Sequence, residues 1–143
     1  MNPRVLYLIK RMEIESAARM ADALQQYNLT PIQYAILYFV DHDKGDFFSS
    51  SQLSRRFSMT AQSMNEFVGV LEKKRLLKKT TDPSHKRILR ITLTAKGKKT
   101  LKDCNRKLDV VEEKFLEKLT TRQTEIFRTL IGKIMDYHGK HHS

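Results

Sequence analysis

The sequence has only one cysteine, Cys104, which excludes an internal disulfide framework and is typical of a protein from a reducing compartment. It also lacks any run of about 18 apolar residues, so no segment is expected to span a membrane. Near the N-terminus, Lys10 and Arg11 interrupt the apolar stretch and no small-residue cleavage site follows, so a signal peptide is not expected. These absences predict a cytoplasmic protein with no membrane partner.

Motifs that carry enzyme chemistry are missing as well. We find no phosphate-binding glycine loop and no nucleophile elbow, and the serines, histidines and aspartates fall in segments that read as turns and helix caps. Three histidines lie near the C-terminus and His42 lies in an aspartate-rich turn, but their spacings match no closed zinc signature. We therefore predict that the protein is not an enzyme and holds no cofactor or metal.

Positive charge is concentrated in the middle third of the chain. The net charge is +11, from 27 basic and 16 acidic side chains. Residues 55–99 contain 13 basic and 3 acidic side chains, a net +10, whereas residues 1–54 carry −1 and residues 100–143 carry +2. Such a localised excess is the electrostatic footprint of an element that binds a polyanion. The basic segment does not form one long amphipathic helix, which favours nucleic acid over a membrane surface.

Periodicity of the apolar residues predicts six helices and one β-hairpin. The second helix is apolar nearly all round, so we expect it to be buried on every side. In the fifth helix a heptad-like stripe contains Leu101, Cys104, Leu108, Val111 and Phe115. The predicted elements are helices over about Arg4–Gln26, Ile32–Asp41, Ser50–Arg56 and Ala61–Lys74, strands over Leu76–Thr81 and Ile88–Leu93, a long helix after Thr94, and a last helix after Thr120.

The order of these elements indicates a winged helix-turn-helix that binds double-stranded DNA. A short helix, a tight turn and a helix with a polar outer face precede a hairpin with a basic tip. The DNA major groove admits one helix, whose N-terminal side chains read base edges there. Gln62 and Asn65 lie about one turn apart on the polar face and can each pair bidentately with adenine, while Ser63 can bond a base or a phosphate.

Further DNA contacts are expected around this helix. The hairpin tip contains Lys86 and Arg87, which are long enough to reach an adjacent minor groove. The capped start of the third helix, Ser49 to Gln52, offers backbone N–H groups to a phosphate. The DNA-contacting residues that we predict are Ser51, Ala61, Gln62, Ser63, Asn65, Lys73, Lys86 and Arg87. The alternative interpretation of the polar residues of the fourth helix is an ordinary solvated helix face. The alternative for Lys86 and Arg87 is a charged turn that protects an edge strand.

The sequence resembles the MarR family of regulators in three stretches, LTPIQYAIL (29–37), SSSQLSRRFSMTAQSMNEFVGVLEKKRLL (49–77) and TDPSHKRILRITLTAKGKK (81–99). The resemblance implies a mainly α fold with a small β-hairpin wing. It places the winged helix-turn-helix at residues 30–99 and a helical dimerisation lobe at residues 1–29 and 100–143. It also implies a homodimer on a pseudo-palindromic operator. The residues expected at the dimer contact are Leu6, Leu108, Phe115, Leu119, Ile126, Leu130 and Ile134.

Three positions depart from the family pattern. The wing reads His85-Lys86-Arg87 where Asp-x-Arg is usual, so Arg87 lacks the acid that would orient it. Glu66 stands where a basic residue is common, which costs attraction to phosphate. Arg75 replaces a frequent helix-ending glycine, so the exit from the recognition helix is expected to differ. None of the three removes the fold.

Two regulatory features are open from the sequence. In the family, repression is commonly relieved by a small molecule or an oxidant. Arg11 and Met12 with Tyr34 and Tyr38 could line an effector pocket, although plain core is the simpler interpretation. Cys104 lies inside the heptad stripe, where a buried small hydrophobe is the simpler interpretation than a redox sensor.

We therefore expect a DNA-binding transcription regulator, with repression as the favoured sign. An alternative is an architectural or adapter protein that coats DNA without an effector, and Glu66 and the altered wing tip give it weight. A ratio of specific to non-specific affinity near unity would favour that alternative.

Overall fold

The computed structural model describes residues 1–42, 49–81, 84 and 89–135. Its elements match the predicted order, a mostly helical chain with one two-stranded antiparallel hairpin. They are α1 (Val5–Leu24), a 3₁₀ turn (Gln25–Tyr27), α2 (Pro31–His42), α3 (Ser50–Arg56), α4 (Ala61–Lys73), β1 (Leu77–Thr81), β2 (Leu89–Leu93), α5 (Ala95–Phe115) and α6 (Thr121–Ile134).

Side-chain caps determine where most of the helices begin. Ser49 starts α3 with a capping box, in which the Gln52 N–H donates to Ser49 Oγ (3.2 Å) and the Ser49 N–H donates to Gln52 Oε1 (3.0 Å). Thr120 and Gln123 make the same pair of bonds at α6. Thr60 caps α4 as predicted. Each such cap stabilises the fold by about 1 kcal/mol because it satisfies N–H groups that have no partner within the helix.

The C-terminus of α4 turns sharply at Arg75, which adopts the left-handed conformation with φ 61°. The Leu76 N–H donates to Leu71 O (3.0 Å) and the Arg75 N–H donates to Glu72 O (2.9 Å). These two bonds make a Schellman motif, and the buried Leu71 and Leu76 occupy its apolar positions. Because the Leu76 N–H is used by the helix end, β1 begins one residue later than predicted.

Arg75→Gly is expected to raise the free energy of unfolding by about 0.5–1 kcal/mol. A left-handed L-residue costs about 1–2 kcal/mol, and the greater flexibility of glycine in the unfolded chain cancels part of the gain. Chemical denaturation measures the change. Lys73→Gly is the control, since a right-handed helical position should lose stability to glycine. A loss from Arg75→Gly equal to the loss in the control would contradict the prediction.

One apolar core joins α1, α2, α3, α4, the hairpin and the first half of α5. In the hairpin Leu77 pairs with Leu93 and Lys79 with Ile91, and Ile91 and Leu93 are buried as the alternation predicts. The stripe on α5 contributes Leu101 and Cys104 to this core. The buried residues are Ala23, Leu24, Leu29, Ile36, Leu37, Val40, Leu53, Met64, Val68, Leu71, Leu76, Leu77, Ile91, Leu93, Leu101, Cys104 and Leu108.

The prediction that α2 is buried all round was wrong. Its core face carries Ile36, Leu37 and Val40, but Tyr34 is only half-buried and Tyr38 is exposed. Tyr38 stacks on His42 at a centroid distance of 4.0 Å and lies 5.8 Å from the Tyr34 ring. This face of α2 borders a cavity rather than the core.

In the described part of the chain, no helix is long and apolar enough to cross a membrane.

Candidate nucleic-acid interface

The helix-turn-helix is formed by α3, α4 and the four residues between them. Ser58 in this turn has φ 50°, and the Met59 N–H donates to Ser54 O (2.9 Å), which ends α3 within one residue. Leu53 of α3 and Met64 of α4 are fully buried, so the two helices share one side of the core. Their packing fixes the opposite face of α4 toward solvent.

The exposed face of α4 carries the predicted base-reading side chains. Ala61, Gln62 and Asn65 are exposed, and so is Lys73 in the last turn. Ser63 is only half-exposed, and its hydroxyl accepts a hydrogen bond from Thr60 Oγ1 (3.0 Å) within the helix cap. Gln62 and Asn65 therefore remain available for base edges, whereas Ser63 is already engaged in the cap.

An ion pair joins the wing to the recognition helix α4. Lys79 Nζ of β1 lies 3.3 Å from Glu72 Oε1 of α4, and both side chains are about one-third exposed. Lys78 on the same strand is exposed. The wing tip, with the predicted contacts Lys86 and Arg87, lies outside the described residues.

The third helix brings basic groups that the sequence reasoning missed. Ser51 is exposed in its first turn and accepts a hydrogen bond from Arg55 Nη2 at 3.4 Å. The Arg56 guanidinium lies 5.8 Å from the centroid of the Phe39 ring. Both arginines lie immediately before the turn of the helix-turn-helix. This position in the sequence could have identified them as part of the basic surface. Together they extend the positive charge alongside α4.

A cavity of about 710 Å³ lies between α1, α2, α5 and α6. Of the four residues predicted for an effector pocket, Tyr34 and Tyr38 line this cavity, whereas Arg11 and Met12 do not. Arg11 instead pairs with Glu15 at 3.5 Å near the exposed surface. The residues of α1 that line the cavity are one to two turns further along: Ser16, Arg19 and Met20. The helical period from Met12 would have pointed to them.

Polar and aromatic contacts organise the cavity walls. The Tyr34 hydroxyl donates to Asn105 Oδ1 at 2.6 Å, which connects α2 to α5. Burial, with a smaller contribution from Tyr38, raises the pKa of Tyr34 far above its usual value, so its hydroxyl remains a neutral donor even at alkaline pH where an ordinary tyrosine ionises. The Arg19 guanidinium lies 5.3 Å from the centroid of the Phe115 ring. The cavity therefore offers aromatic surface together with hydrogen-bonding groups.

Large apolar side chains remain exposed on α1 and α6. Leu6 is 71% exposed, Leu130 51% and Ile134 76%; Ile126 is also exposed, and so is Leu119 in the segment between α5 and α6. Phe115 is half-buried beside the cavity. Leu108, however, is only 9% exposed and packs in the core of its own chain, which leaves almost no side chain for a partner. The structure therefore corrects its assignment as a dimer contact, since the core-facing part of the α5 stripe is already covered.

Cys104 is fully buried, and burial with a smaller effect of Asp103 raises the pKa of its thiol to about 11. We expect less than a tenth of the folded protein to react with a thiol reagent in the time needed for complete reaction in denaturant, because the thiolate is the reactive form. Timed alkylation at pH 7.5 measures this, with the unfolded chain as the control. Comparable rates in both states would restore the redox-sensor interpretation.

The raised pKa of Cys104 also predicts that the free energy of unfolding falls as the pH rises from about 9 to 11, where only the unfolded thiol ionises.

No metal-binding cluster is found in the described ranges, where no three His, Cys, Asp or Glu side chains lie close enough to share an ion. His42 lines the cavity and stacks on Tyr38. The C-terminal histidines His138, His141 and His142 lie outside the described residues. The sites with observed geometry are therefore the polar face of α4 and the cavity.

Comparison with known proteins shows which families and proteins this chain resembles in sequence. The sequence model of the MarR family matches residues 27–88. The HTH-type transcriptional repressor Rv2887 of Mycobacterium tuberculosis is 27% identical over 128 residues, covering 90% of this chain and 91% of the relative.

Solved structures extend the likeness to the whole fold. A MarR-family regulator from Rhodococcus sp. RHA1 matches with TM-score 0.82 and 18% identity over 92% of this chain and 93% of that chain. Rv2887 in complex with DNA matches with TM-score 0.74 and 25% identity over 93% and 98%. Rv2887 in complex with salicylic acid matches with TM-score 0.74 and 26% identity over 93% and 97%.

Proposed function

Because the chain is similar to the MarR family in its sequence model and to MarR-type repressors along most of its length, we propose that it belongs to this family of DNA-binding transcription regulators and acts as a homodimeric repressor on a pseudo-palindromic operator. The observation that carries this proposal is that α4 exposes a polar face while Met64, on its opposite face, is buried in the core. A basic wing follows this helix in the chain. This fold matches a relative solved with DNA. Such a regulator works in the cytoplasm, beside the chromosome.

In the proposed complex α4 lies in the major groove and reads sequence through Gln62 and Asn65. Amide side chains pair bidentately with adenine, and each such pair discriminates between bases by about 1–3 kcal/mol. Ser51 of α3 and Lys73 in the last turn of α4 contact phosphates, which position the protein without specifying sequence. Lys86 and Arg87 of the wing tip contact the adjacent minor groove.

The homodimer is proposed from the apolar side chains that one chain leaves uncovered on α1 and α6. Leu6, Ile126, Leu130 and Ile134 would be covered by the equivalent helices of a second copy. A two-fold dimer places its recognition helices about 34–36 Å apart, in successive major grooves on one side of the duplex. A pseudo-palindromic operator follows from that symmetry.

We also propose that a small ligand in the cavity of about 710 Å³ controls DNA binding. The cavity touches α1, α5 and α6, which carry the proposed dimer contact, and α2, which packs on the DNA-reading part. A ligand that binds one spacing of the recognition helices better than the other shifts the population by its differential affinity. Rv2887, a relative of similar fold, was solved in complex with salicylic acid, which supports the proposal that this fold binds a small ligand.

Asn65→Ala tests the proposed function directly. We expect it to weaken binding to the selected operator about tenfold or more per half-site, because a bidentate base contact is lost. Binding to random duplex should change by less than about twofold, since Asn65 carries no charge for phosphate. Titration of both duplexes at two salt concentrations measures the two effects. Lys73→Ala is the control, expected to weaken both duplexes alike and to lower the salt dependence.

Equal losses of Asn65→Ala on operator and random DNA would contradict base reading by this residue. A wild-type protein that binds every duplex alike, with binding that collapses with salt, would instead favour the architectural alternative.

A further inference from the structure

The recognition helix carries two acidic side chains, and their surroundings differ. Glu72 is partly buried and pairs with Lys79 of the wing at 3.3 Å. Glu66 is exposed and has no hydrogen bond or ion pair with the described part of the chain. An unpaired acid therefore lies within residues 55–99, a segment with a net charge of +10.

The position of Glu66 on the helix explains how it can be tolerated there. With 3.6 residues per turn, Gln62 and Glu66 lie about 40° apart around α4 and so share one line along the helix. That line is opposite the buried Met64 and Val68. A side chain in the middle of the groove-facing surface points to base edges, whereas one at the flank would approach phosphates and be repelled.

Gly69 leaves the same face open beyond Glu66. A Cβ added at Gly69 would meet nothing within 4 Å in the protein. Gln62 and Glu66 are about 6 Å apart along the helix axis, compared with about 3.4 Å per base-pair step, so they reach different base pairs. Glu66 is thus the last base-reaching side chain before the glycine gap.

We propose that Glu66 is a specificity-determining residue, which accepts a hydrogen bond from the cytosine N4 amino group of a C·G pair in the major groove. This inference rests on the proposed function. Cytosine N4 is the donor that C presents in the major groove, and Glu or Asp is its matching acceptor. The carboxylate rejects guanine at the same position, because guanine presents only acceptors there. The carboxylate thus weakens the attraction of α4 to phosphates but adds selectivity at one base pair.

Selection from a random-sequence duplex library tests this assignment. The wild-type dimer should select a two-fold symmetric site with a C·G pair close to the pairs read by Gln62 and Asn65. Glu66→Gln should replace that pair by A·T, because glutamine pairs with adenine. We expect at least a fivefold change in relative affinity per half-site. Glu66→Ala should lose the preference without gaining another.

Glu72→Gln is the matched control, since it removes the same charge from the same helix but away from the groove-facing line. It should leave the selected sequence unchanged. If Glu66→Gln tightens binding to every duplex alike and selects the wild-type site, Glu66 is only a repulsive charge and the inference is overturned. If the wild-type protein selects no site at all, the proposed function itself is contradicted. If the wild type selects a site and Glu66→Gln selects the same one, only the assignment of Glu66 is contradicted.

Discussion

Gly97→Ala is expected to lower the free energy of unfolding by about 2–3 kcal/mol, the upper part of the range of about 1–3 kcal/mol for overpacking in a dense core. A Cβ at Gly97 would lie 2.1 Å from Leu76 O and 3.2 Å from Leu93 Cδ2. The Leu76 carbonyl is backbone and accepts the Thr94 N–H at 3.1 Å, so it cannot move aside cheaply. The added methyl group must therefore push α5 away from the junction of α4 and the wing.

Gly69→Ala is the matched control, because it makes the same change inside α4 where a Cβ meets nothing within 4 Å. It should raise the free energy of unfolding by about 1 kcal/mol through helix propensity. Urea denaturation of the two variants and the wild type measures both effects. Similar stability of the two variants would show that the contact at Leu76 relaxes without cost and would overturn the prediction.

The second large effect is expected from Leu130→Asp on α6. Leu130 is 51% exposed, so the aspartate should leave the fold of one chain intact while placing a charge in the proposed dimer contact. We expect the variant to sediment as a monomer. Its affinity for the palindromic operator should fall at least about 100-fold, because linked binding to two half-sites is lost.

Val70→Asp provides the control for oligomeric state. Val70 is 40% exposed on α4, away from α1 and α6, so this variant should keep the mass of the wild type. Circular dichroism shows whether both variants retain their helices. A Leu130→Asp protein that stays dimeric, or a wild type that sediments as a monomer at micromolar concentration, would contradict the proposed interface.

The helix starts and the exposed polar face of α4 could be predicted from the sequence because their signals are local. Ser49 with Gln52, and Thr120 with Gln123, satisfy backbone groups only three residues away, and the structure confirms both capping boxes. The polar face of α4 follows from the period of its apolar residues, which leaves Gln62 and Asn65 outside whatever the opposite face contacts. Arg75 was correctly recognised as standing at a position that favours glycine.

The sequence by itself thus determined the order of elements, their caps and the side of α4 that meets solvent. Tertiary structure decided which apolar residues are covered, since Leu108 enters the core while Leu130 stays exposed on an equally apolar stripe. It decided that Arg19 rather than Arg11 borders the cavity. It also decided that Gly97 tolerates no side chain. Caps and periodicity depend on neighbours along the chain, but burial depends on which distant segment packs against each face.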